Sequence, residues 1–262
     1  MRIILNIAVL IILITNSFFC EKSEWKLVWS DEFNYSGLPD RAKWSFEVGG
    51  KGWGNNELQY YTDADTNNAL VKNGYLNITA RKDTKGANQY TSARLITKGK
   101  SLFKYGKIEV RAKLPQGVGT WPAIWMLGDN IAEVGWPDCG EIDIMEHVGF
   151  KKDSIFGSLH TKSFNHVIGT QITQGVFIKN PYLEFHIFSI EWSSEKISFF
   201  LDNKKYIEFT NVYKTEDEWP FNKSFFMILN LAIGGNWGGQ GGVDNAIFPA
   251  TMQVDYIRVY QK

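Results

Sequence analysis

The stretch Trp136-Pro-Asp-Cys-Gly-Glu-Ile-Asp-Ile-Met-Glu-His-Val-Gly149 alternates polar and apolar residues at its centre. Such alternation is typical of a strand with one buried face, and it places Glu141 and Asp143 on the polar face. Strict alternation would send Glu146 to the apolar face, whereas a β-bulge at Ile144–Met145 would return it to the face of Glu141. We therefore predict a bulged strand with three carboxylates on one face of a sheet.

Three acids on one sheet face repel one another, so a sequence shaped only by stability would avoid them there. In a cleft, like charges separate the pKa values of neighbouring carboxyls, so that one stays protonated while another is ionised. A retaining glycosidase needs this division between two carboxyl groups about 5–5.5 Å apart. The alternative is a solvent-facing edge strand whose acids only increase solubility.

Alternating segments recur along the chain, separated by turn signals such as Asn73-Gly74. The segments that we predict as further strands are 25–33, 44–48, 73–81, 93–97, 106–114, 154–160, 186–192, 196–201, 205–209, 225–231 and 251–260. Many short strands with almost no helical periodicity indicate an all-β sandwich. We find no linker or internal repeat and predict one domain.

The first 20 residues have the pattern of a secretory signal peptide, with Arg2 before an apolar run from Ile3 to Ile14. The run is short for a membrane span. Thr15-Asn-Ser17 offers small residues to ordinary signal peptidase, whereas Cys20 resembles the lipidated cysteine of bacterial lipoproteins. Both alternatives remain open. We predict a signal peptide over 1–20, a folded domain over 21–262, and an exported protein that is extracellular or anchored at Cys20.

The charge balance argues against a nucleic-acid partner, because the chain has 28 basic and 28 acidic residues. If Cys20 is lipidated or removed, Cys139 has no partner for a disulfide, so we predict a buried free thiol. The four histidines lack the spacing of a zinc site. We expect no catalytic cofactor and a monomer.

The chain has 10 Trp, 11 Tyr and 18 Phe, more aromatic residues than a core of this size requires. Trp53, Trp121, Trp136 and Trp237 lie beside Gly or Pro, outside the predicted strands. Sugar rings have apolar C–H faces that stack on indole, so we favour sugar binding for these four together. Core packing or a protein interface is the alternative for any one of them.

Two motifs resemble glycoside hydrolase family 16, and in particular the laminarinase-type bacterial endo-β-glucanases. One is Tyr105–Leu127, which contains Gly119-Thr-Trp-Pro-Ala-Ile-Trp125, and the other is Gly140-Glu-Ile-Asp-Ile-Met-Glu-His147. The likeness extends from Trp29-Ser-Asp-Glu-Phe33, through Asn230–Gly239, to Val254–Tyr260.

The resemblance implies a concanavalin-like β-jelly-roll of two antiparallel sheets with a concave substrate cleft, so that 21–262 would be a glycoside hydrolase catalytic domain. It implies a retaining mechanism with Glu141 as nucleophile, Glu146 as acid and base, and Asp143 assisting. The substrate would be a β-1,3-glucan or mixed β-1,3/1,4-glucan such as laminarin. The positions similar to substrate-binding residues are Trp53, Asn55, Arg94, Trp121, Trp125, His160 and Trp237.

Many relatives also carry a structural calcium ion, and the matching positions here are Glu32, the carbonyl of Gly74, and Asp255. Oxygen ligands suit that ion, although three protein ligands would need waters to complete its shell. Each acid alone is also compatible with capping a turn.

Two other functions fit the same fold. A hydrolase of red-algal galactan is compatible with the family, but the Gly119–Trp125 run and Asn236-Trp-Gly-Gly239 argue against it. A non-catalytic β-glucan-binding protein would be expected to lack one or both catalytic carboxylates, which are present here.

Overall fold

The computed structural model describes residues 24–212 and 215–262. The predicted signal peptide and the possible lipid anchor at Cys20 lie outside these residues. The described chain is almost entirely β, with one short helix, α1 (Ile131–Val134), and two 3-10 turns. The strands are β1 (Lys26–Asp31), β2 (Ser45–Phe46), β3 (Gln59–Tyr61), β4 (Ala69–Lys72), β5 (Tyr75–Ala80), β6 (Tyr90–Ser92), β7 (Arg94–Ile96), β8 (Gly106–Lys113), β9 (Thr120–Gly128), β10 (Glu141–Glu146), β11 (Ser154–His160), β12 (Ile172–Phe177), β13 (His186–Trp192), β14 (Lys196–Leu201), β15 (Lys204–Thr210), β16 (Phe225–Ile233) and β17 (Ala250–Gln261).

Two large antiparallel sheets form the sandwich. The eight-stranded sheet has the order β15-β14-β13-β8-β17-β5-β4, and β1 pairs with the end of β17. The seven-stranded sheet has the order β12-β11-β10-β9-β16-β7-β2. A small parallel pair, β3 with β6, lies beside them. Four of the seven neighbouring pairs in the eight-stranded sheet and three of the six in the seven-stranded sheet join strands that are not consecutive in sequence, so the fold depends on long-range pairing. The predicted jelly-roll sandwich is confirmed.

The core lies between the two sheets, where each strand contributes its apolar face. Ile142 and Ile144 of β10 belong to the same buried cluster as Ile108 and Val110 of β8. All nine residues of β16 are buried, which matches its central position between β9 and β7. Its odd-numbered residues, from Phe225 to Ile233, belong to the core cluster, and its even-numbered residues, which include Asn230, lie on the opposite face of the sheet.

Strand β9 was not among the predicted strands, because its sequence is mainly apolar and contains Pro122. Nine consecutive residue pairs join β9 to β16, from Phe225 opposite Gly128 to Ile233 opposite Thr120. The missing amide of Pro122 does not interrupt this pairing, and its carbonyl accepts the amide of His147 at 3.2 Å. No helix in the described part of the chain is long and apolar enough to cross a membrane.

Candidate active site

Strand β10 presents three carboxyl groups to one cleft because a bulge interrupts its alternation. Its pairing with β9 shifts register between Asp143 and Met145, and its pairing with β11 shifts between Asp143 and Glu146. Met145 is buried with the isoleucines of the strand. Glu141, Asp143 and Glu146 line a cleft of about 730 Å³ on the outer face of the seven-stranded sheet. The predicted bulge is therefore confirmed.

Each outer carboxyl of this group accepts a hydrogen bond from an indole. Trp136 donates Nε1–H to Glu141 Oε2 at 2.8 Å, and Trp121 donates Nε1–H to Glu146 Oε1 at 3.0 Å. His160 Nε2 lies 3.3 Å from Asp143 Oδ2 and 3.8 Å from Glu141 Oε1. The two glutamates are thus oriented by different tryptophans, on either side of Asp143.

Burial raises the pKa values of all three carboxyl groups. Burial and the charge of Asp143 raise the pKa of Glu141 to about 8. Burial also raises the pKa of Glu146 to about 7, with a smaller contribution from Glu141. Burial and the charge of Glu146 hold the pKa of Asp143 well above its usual range. The cluster therefore retains protons at neutral pH, which is the condition for acid catalysis by a carboxyl group.

An arginine between two tryptophans forms one end of the cleft. The guanidinium of Arg94 lies 4.8 Å from the ring centroid of Trp53 and 4.7 Å from that of Trp125. Its Nε donates to Glu47, which holds the guanidinium plane in place. Both indoles gain cation–π attraction, and their orientation is fixed together with that of the arginine.

A chain of hydrogen bonds supports this end of the cleft from below. Trp125 donates to Asn230 Oδ1 at 2.7 Å, Asn230 donates to the hydroxyl of Tyr61 at 3.0 Å, and Tyr61 donates to Glu57 Oε2 at 3.1 Å. Gln59 donates to the same Glu57 oxygen at 2.6 Å. Glu57 and Asn230 were not predicted as site residues. Asn230 begins the family-like segment Asn230–Gly239 and Glu57 lies two residues after Asn55, but neither position showed which polar side chains face the cleft.

Two glycine-rich loops meet at the cleft rim. The amide of Asn236 donates to the carbonyl of Asn55 at 2.7 Å, and Asn56 Nδ2 donates to Asn236 Oδ1 at 2.8 Å. The second loop carries Trp237, whose ring meets that of Trp121 edge to face at 5.6 Å. A Cβ at Gly238 would lie 2.8 Å from the Cβ of Trp121, so glycine permits this approach.

The wall near Glu141 consists of aromatic and imidazole rings. Trp136 packs against His166 with ring centroids 4.9 Å apart, and His166 meets His160 edge to face at 5.3 Å. Trp136 is one of the four tryptophans for which we favoured sugar binding, and it lines the cleft. His166 also lines the cleft but was not predicted there, since no motif surrounds it.

The structure brings all the predicted substrate-binding positions into this single cleft. Trp121 and Trp125 both face it, since they lie four residues apart on β9. The lining positions that were predicted are Trp53, Asn55, Arg94, Trp121, Trp125, His160 and Trp237.

Two other residues of the stretch Trp136–Gly149 are buried and do not line the cleft. His147 is 1% exposed, its Nδ1 lies 2.8 Å from the carbonyl oxygen of Ser154, and burial lowers its pKa. Cys139 is a buried free thiol whose pKa burial raises to about 12. Both side chains therefore have a structural role.

The residues of the predicted calcium site do not fit that ion as they are arranged. Both oxygens of Glu32 accept hydrogen bonds from Arg258, at 2.8 and 2.9 Å, and Asp255 pairs with Arg111. A guanidinium on each carboxylate already neutralises the charge that a calcium ion would require. In the described chain, the ligand atoms close enough to share a cation belong to Glu141, Asp143 and His160, within 4.8 Å of one another.

Comparison with known proteins gives the family. The family model for glycosyl hydrolases family 16 matches residues 56–258. A β-glucanase from Rhodothermus marinus is 52% identical over 244 residues, covering 90% of this chain and 85% of that protein. The X-ray structure of the laminarinase from Rhodothermus marinus has a TM-score of 0.89 at 51% identity, covering 91% of this chain and 98% of that one.

A second structural neighbour is a non-specific endo-β-1,3(4)-glucanase from family 16, co-crystallised as a variant with 1,3-β-D-cellotriosyl-glucose. It has a TM-score of 0.88 at 45% identity, covering 92% of this chain and 96% of that one. The similarity extends over nearly the whole described domain and includes the strand with the three carboxyl groups. The chain therefore belongs to family 16 of the glycosyl hydrolases.

Proposed function

We propose that this protein is an endo-1,3(4)-β-glucanase that cleaves laminarin-like glucan with retention of anomeric configuration. The observation that carries the proposal is the set of three carboxyl groups on the bulged strand β10, facing a cleft lined with tryptophans. The similarity to a β-glucanase and to laminarinase structures supports the substrate class.

The mechanism follows from the environments of the two glutamates. Glu146 gives its proton to the glycosidic oxygen that leaves, from the form of the site in which Glu146 is protonated and Glu141 is ionised. Glu141, held by the indole of Trp136, attacks the anomeric carbon and forms a glycosyl-enzyme ester. Glu146, now ionised, takes a proton from water, which attacks the same carbon and releases the sugar.

Asp143 assists because it lies between the two glutamates and its own pKa is raised. In its protonated form it adds no negative charge beside Glu141. The attacking carboxylate is then not destabilised further by a charged neighbour. His160 Nε2, 3.3 Å from Asp143 Oδ2, borders Asp143 on that side of the site.

The cleft suits a chain of sugars in both shape and chemistry. Trp53, Trp125 and Trp237 supply apolar ring faces, while Arg94 and Asn55 supply donors for hydroxyl groups. The predicted export, the possible lipid anchor at Cys20 and the monomeric state belong to this proposal. The export and the lipid anchor rest on the leader sequence.

Product analysis on laminarin, lichenan, carboxymethyl-cellulose and agarose tests the function directly. We expect laminarin to be cleaved to oligosaccharides, with the β-anomer formed first in NMR spectra. Cleavage of agarose alone would keep the chemistry and refute the glucan substrate. Binding of laminarin without hydrolysis of any polymer would refute the enzyme.

Replacement of Trp136 by phenylalanine should lower kcat/KM on laminarin at pH 6 by about tenfold. The variant loses the indole donor to Glu141, and a hydrogen bond to a charged group contributes about 1.5–3 kcal/mol. Without that donor the pKa of Glu141 rises further, so the limb of the pH profile that reports Glu141 moves to higher pH. The measurement is kcat/KM against pH.

Trp121→Phe provides the matched comparison, since it removes the corresponding donor from Glu146. This variant should shift the limb of the pH profile that reports the ionisation of Glu146. If Trp136→Phe shifted neither limb, its hydrogen bond would not control the ionisation of Glu141.

A further inference from the structure

Phe156 is the cross-strand neighbour of Glu146. The register of β10 with β11 places the two residues opposite each other. The ring of Phe156 meets that of Trp237 edge to face, with centroids 5.1 Å apart. Residues two apart on a strand share a face, so Phe156 lies on the same face as Ser158, which lines the cleft. An aromatic ring that is only partly buried therefore adjoins the predicted acid.

The neighbouring strand is shaped to accept this ring. Phe156 pairs with Gly175 of β12, and a Cβ at Gly175 would lie 2.9 Å from Cε1 of Phe156. A side chain at this position would force the ring to move. Lys151, a cleft-lining residue, places its ammonium group 5.3 Å from the ring centroid. The ring is thus flanked by backbone on one side and by a cation at the cleft.

A second phenylalanine continues the same face toward the edge of the sheet. Phe177 pairs with Ser154, two residues beyond the Gly175 pair, so it shares a face with Gly175 and Thr173. Its relative exposure is 72%. Thr173 lines the cleft, which makes this face continuous with it. A large exposed ring beside a binding cleft is typical of an interaction surface.

We propose that Phe156, Gly175 and Phe177 form an aromatic platform that binds the part of the glucan chain on the leaving-group side of the scissile bond. The inference rests on the proposed function. Its occupant is a run of β-linked glucose units, whose C–H faces pack on the two rings while their hydroxyl groups remain in water.

The position of the acid, Glu146, determines which side of the cleft holds the leaving sugar. Glu146 must contact the oxygen that departs, so the leaving sugar lies against the residues around Glu146 and away from Glu141. Those residues are Trp121, Trp237 and Phe156. The wall around Glu141, with Trp136 and His166, lies at the other side. Phe177 then lies further along the leaving side, at the last strand of the sheet.

The test compares two substrates with the double variant Phe156→Ala/Phe177→Ala. Laminarihexaose extends over both sides of the cleft, whereas β-laminaribiosyl fluoride has a single fluorine atom as its leaving group. We expect kcat/KM for the hexaose to fall about tenfold, equivalent to about 1.4 kcal/mol. For the fluoride, kcat/KM should stay within about twofold of the value for the unmodified protein. The cleavage position in end-labelled hexaose should also shift.

Two controls separate this role from an effect on folding. Phe156→Trp keeps an aromatic face and should keep most of the hexaose activity. Phe185→Ala removes a partly buried ring that precedes β13 and stacks on Tyr75 of β5, and it should change kcat/KM for neither substrate. Equal losses on both substrates, or no loss on either, would overturn the platform. An unmodified protein that cleaves neither substrate would instead overturn the proposed glucanase, and the platform with it.

Discussion

Replacing Glu141 by alanine is expected to reduce kcat on laminarin by on the order of 10⁵-fold, because removal of a nucleophile that forms a covalent intermediate eliminates the stepwise route. Glu141 is held by Trp136 in a half-buried position. Sodium azide should restore cleavage of β-laminaribiosyl fluoride by the variant, since the cavity left by the carboxylate admits a small anion. The restored product should be the α-glycosyl azide, which NMR identifies.

Glu133→Gln is the matched control, because Glu133 is an exposed acid in α1, close in sequence to Glu141. This variant should retain full activity. Azide rescue that gave a β-glycosyl azide, or a Glu141 variant with near-normal kcat, would rule out Glu141 as the nucleophile.

The pH dependence of kcat/KM should be bell-shaped, with limbs near pH 7 and pH 8. The charge of Glu141 raises the pKa of Glu146, so the two carboxyls titrate as a pair, with values of about 8 for Glu141 and about 7 for Glu146. Below pH 7 both carboxyls carry protons and no nucleophile is available. Above pH 8 both are ionised and no acid is available. Between these limits the pair shares one proton. The higher pKa of Glu141 places that proton mainly on Glu141, so the productive form, with the proton on Glu146, is the minor one. Rates on laminarin between pH 5 and pH 10 measure both limbs.

Glu146→Gln should remove the alkaline limb and lower kcat on laminarin by about 10³-fold, within the usual range for general acid catalysis. On β-laminaribiosyl fluoride the first step needs little protonation, so the loss should be much smaller. Gln has nearly the same shape as Glu and can still accept the indole hydrogen bond of Trp121. An alkaline limb that persisted in this variant would assign the acid to another group.

The position of strand β10 and the direction of its side chains could be predicted because both depend on the alternation of residues that are neighbours in the sequence. Alternation fixes which side chains share a face, and an extra residue between Asp143 and Glu146 requires a bulge if all three acids are to face the cleft. The strands 154–160, 186–192 and 196–201 were predicted with their observed bounds for the same reason. Each combines regular alternation with polar turns at both ends.

Other parts of the site depend on contacts that alternation does not encode. Arg94 is fixed by Trp53 and Trp125, which come from a loop and a different strand. The hydrogen-bond chain from Trp125 to Glu57 crosses three separate segments. The predicted calcium site depends on such contacts as well. The family pattern identified three positions, but not the arginines that pair with the two carboxylates.

The pairing of the first strand with the last has a consequence for how the domain can be joined to other structures. Lys26 of β1 lies opposite Gln261 of β17, in the sheet that does not carry the cleft. Both ends of the described chain therefore leave the molecule at one corner, close together. A surface attachment or an additional module connected at either end would approach from that corner. Such a tether would leave the opening of the cleft directed toward incoming polysaccharide.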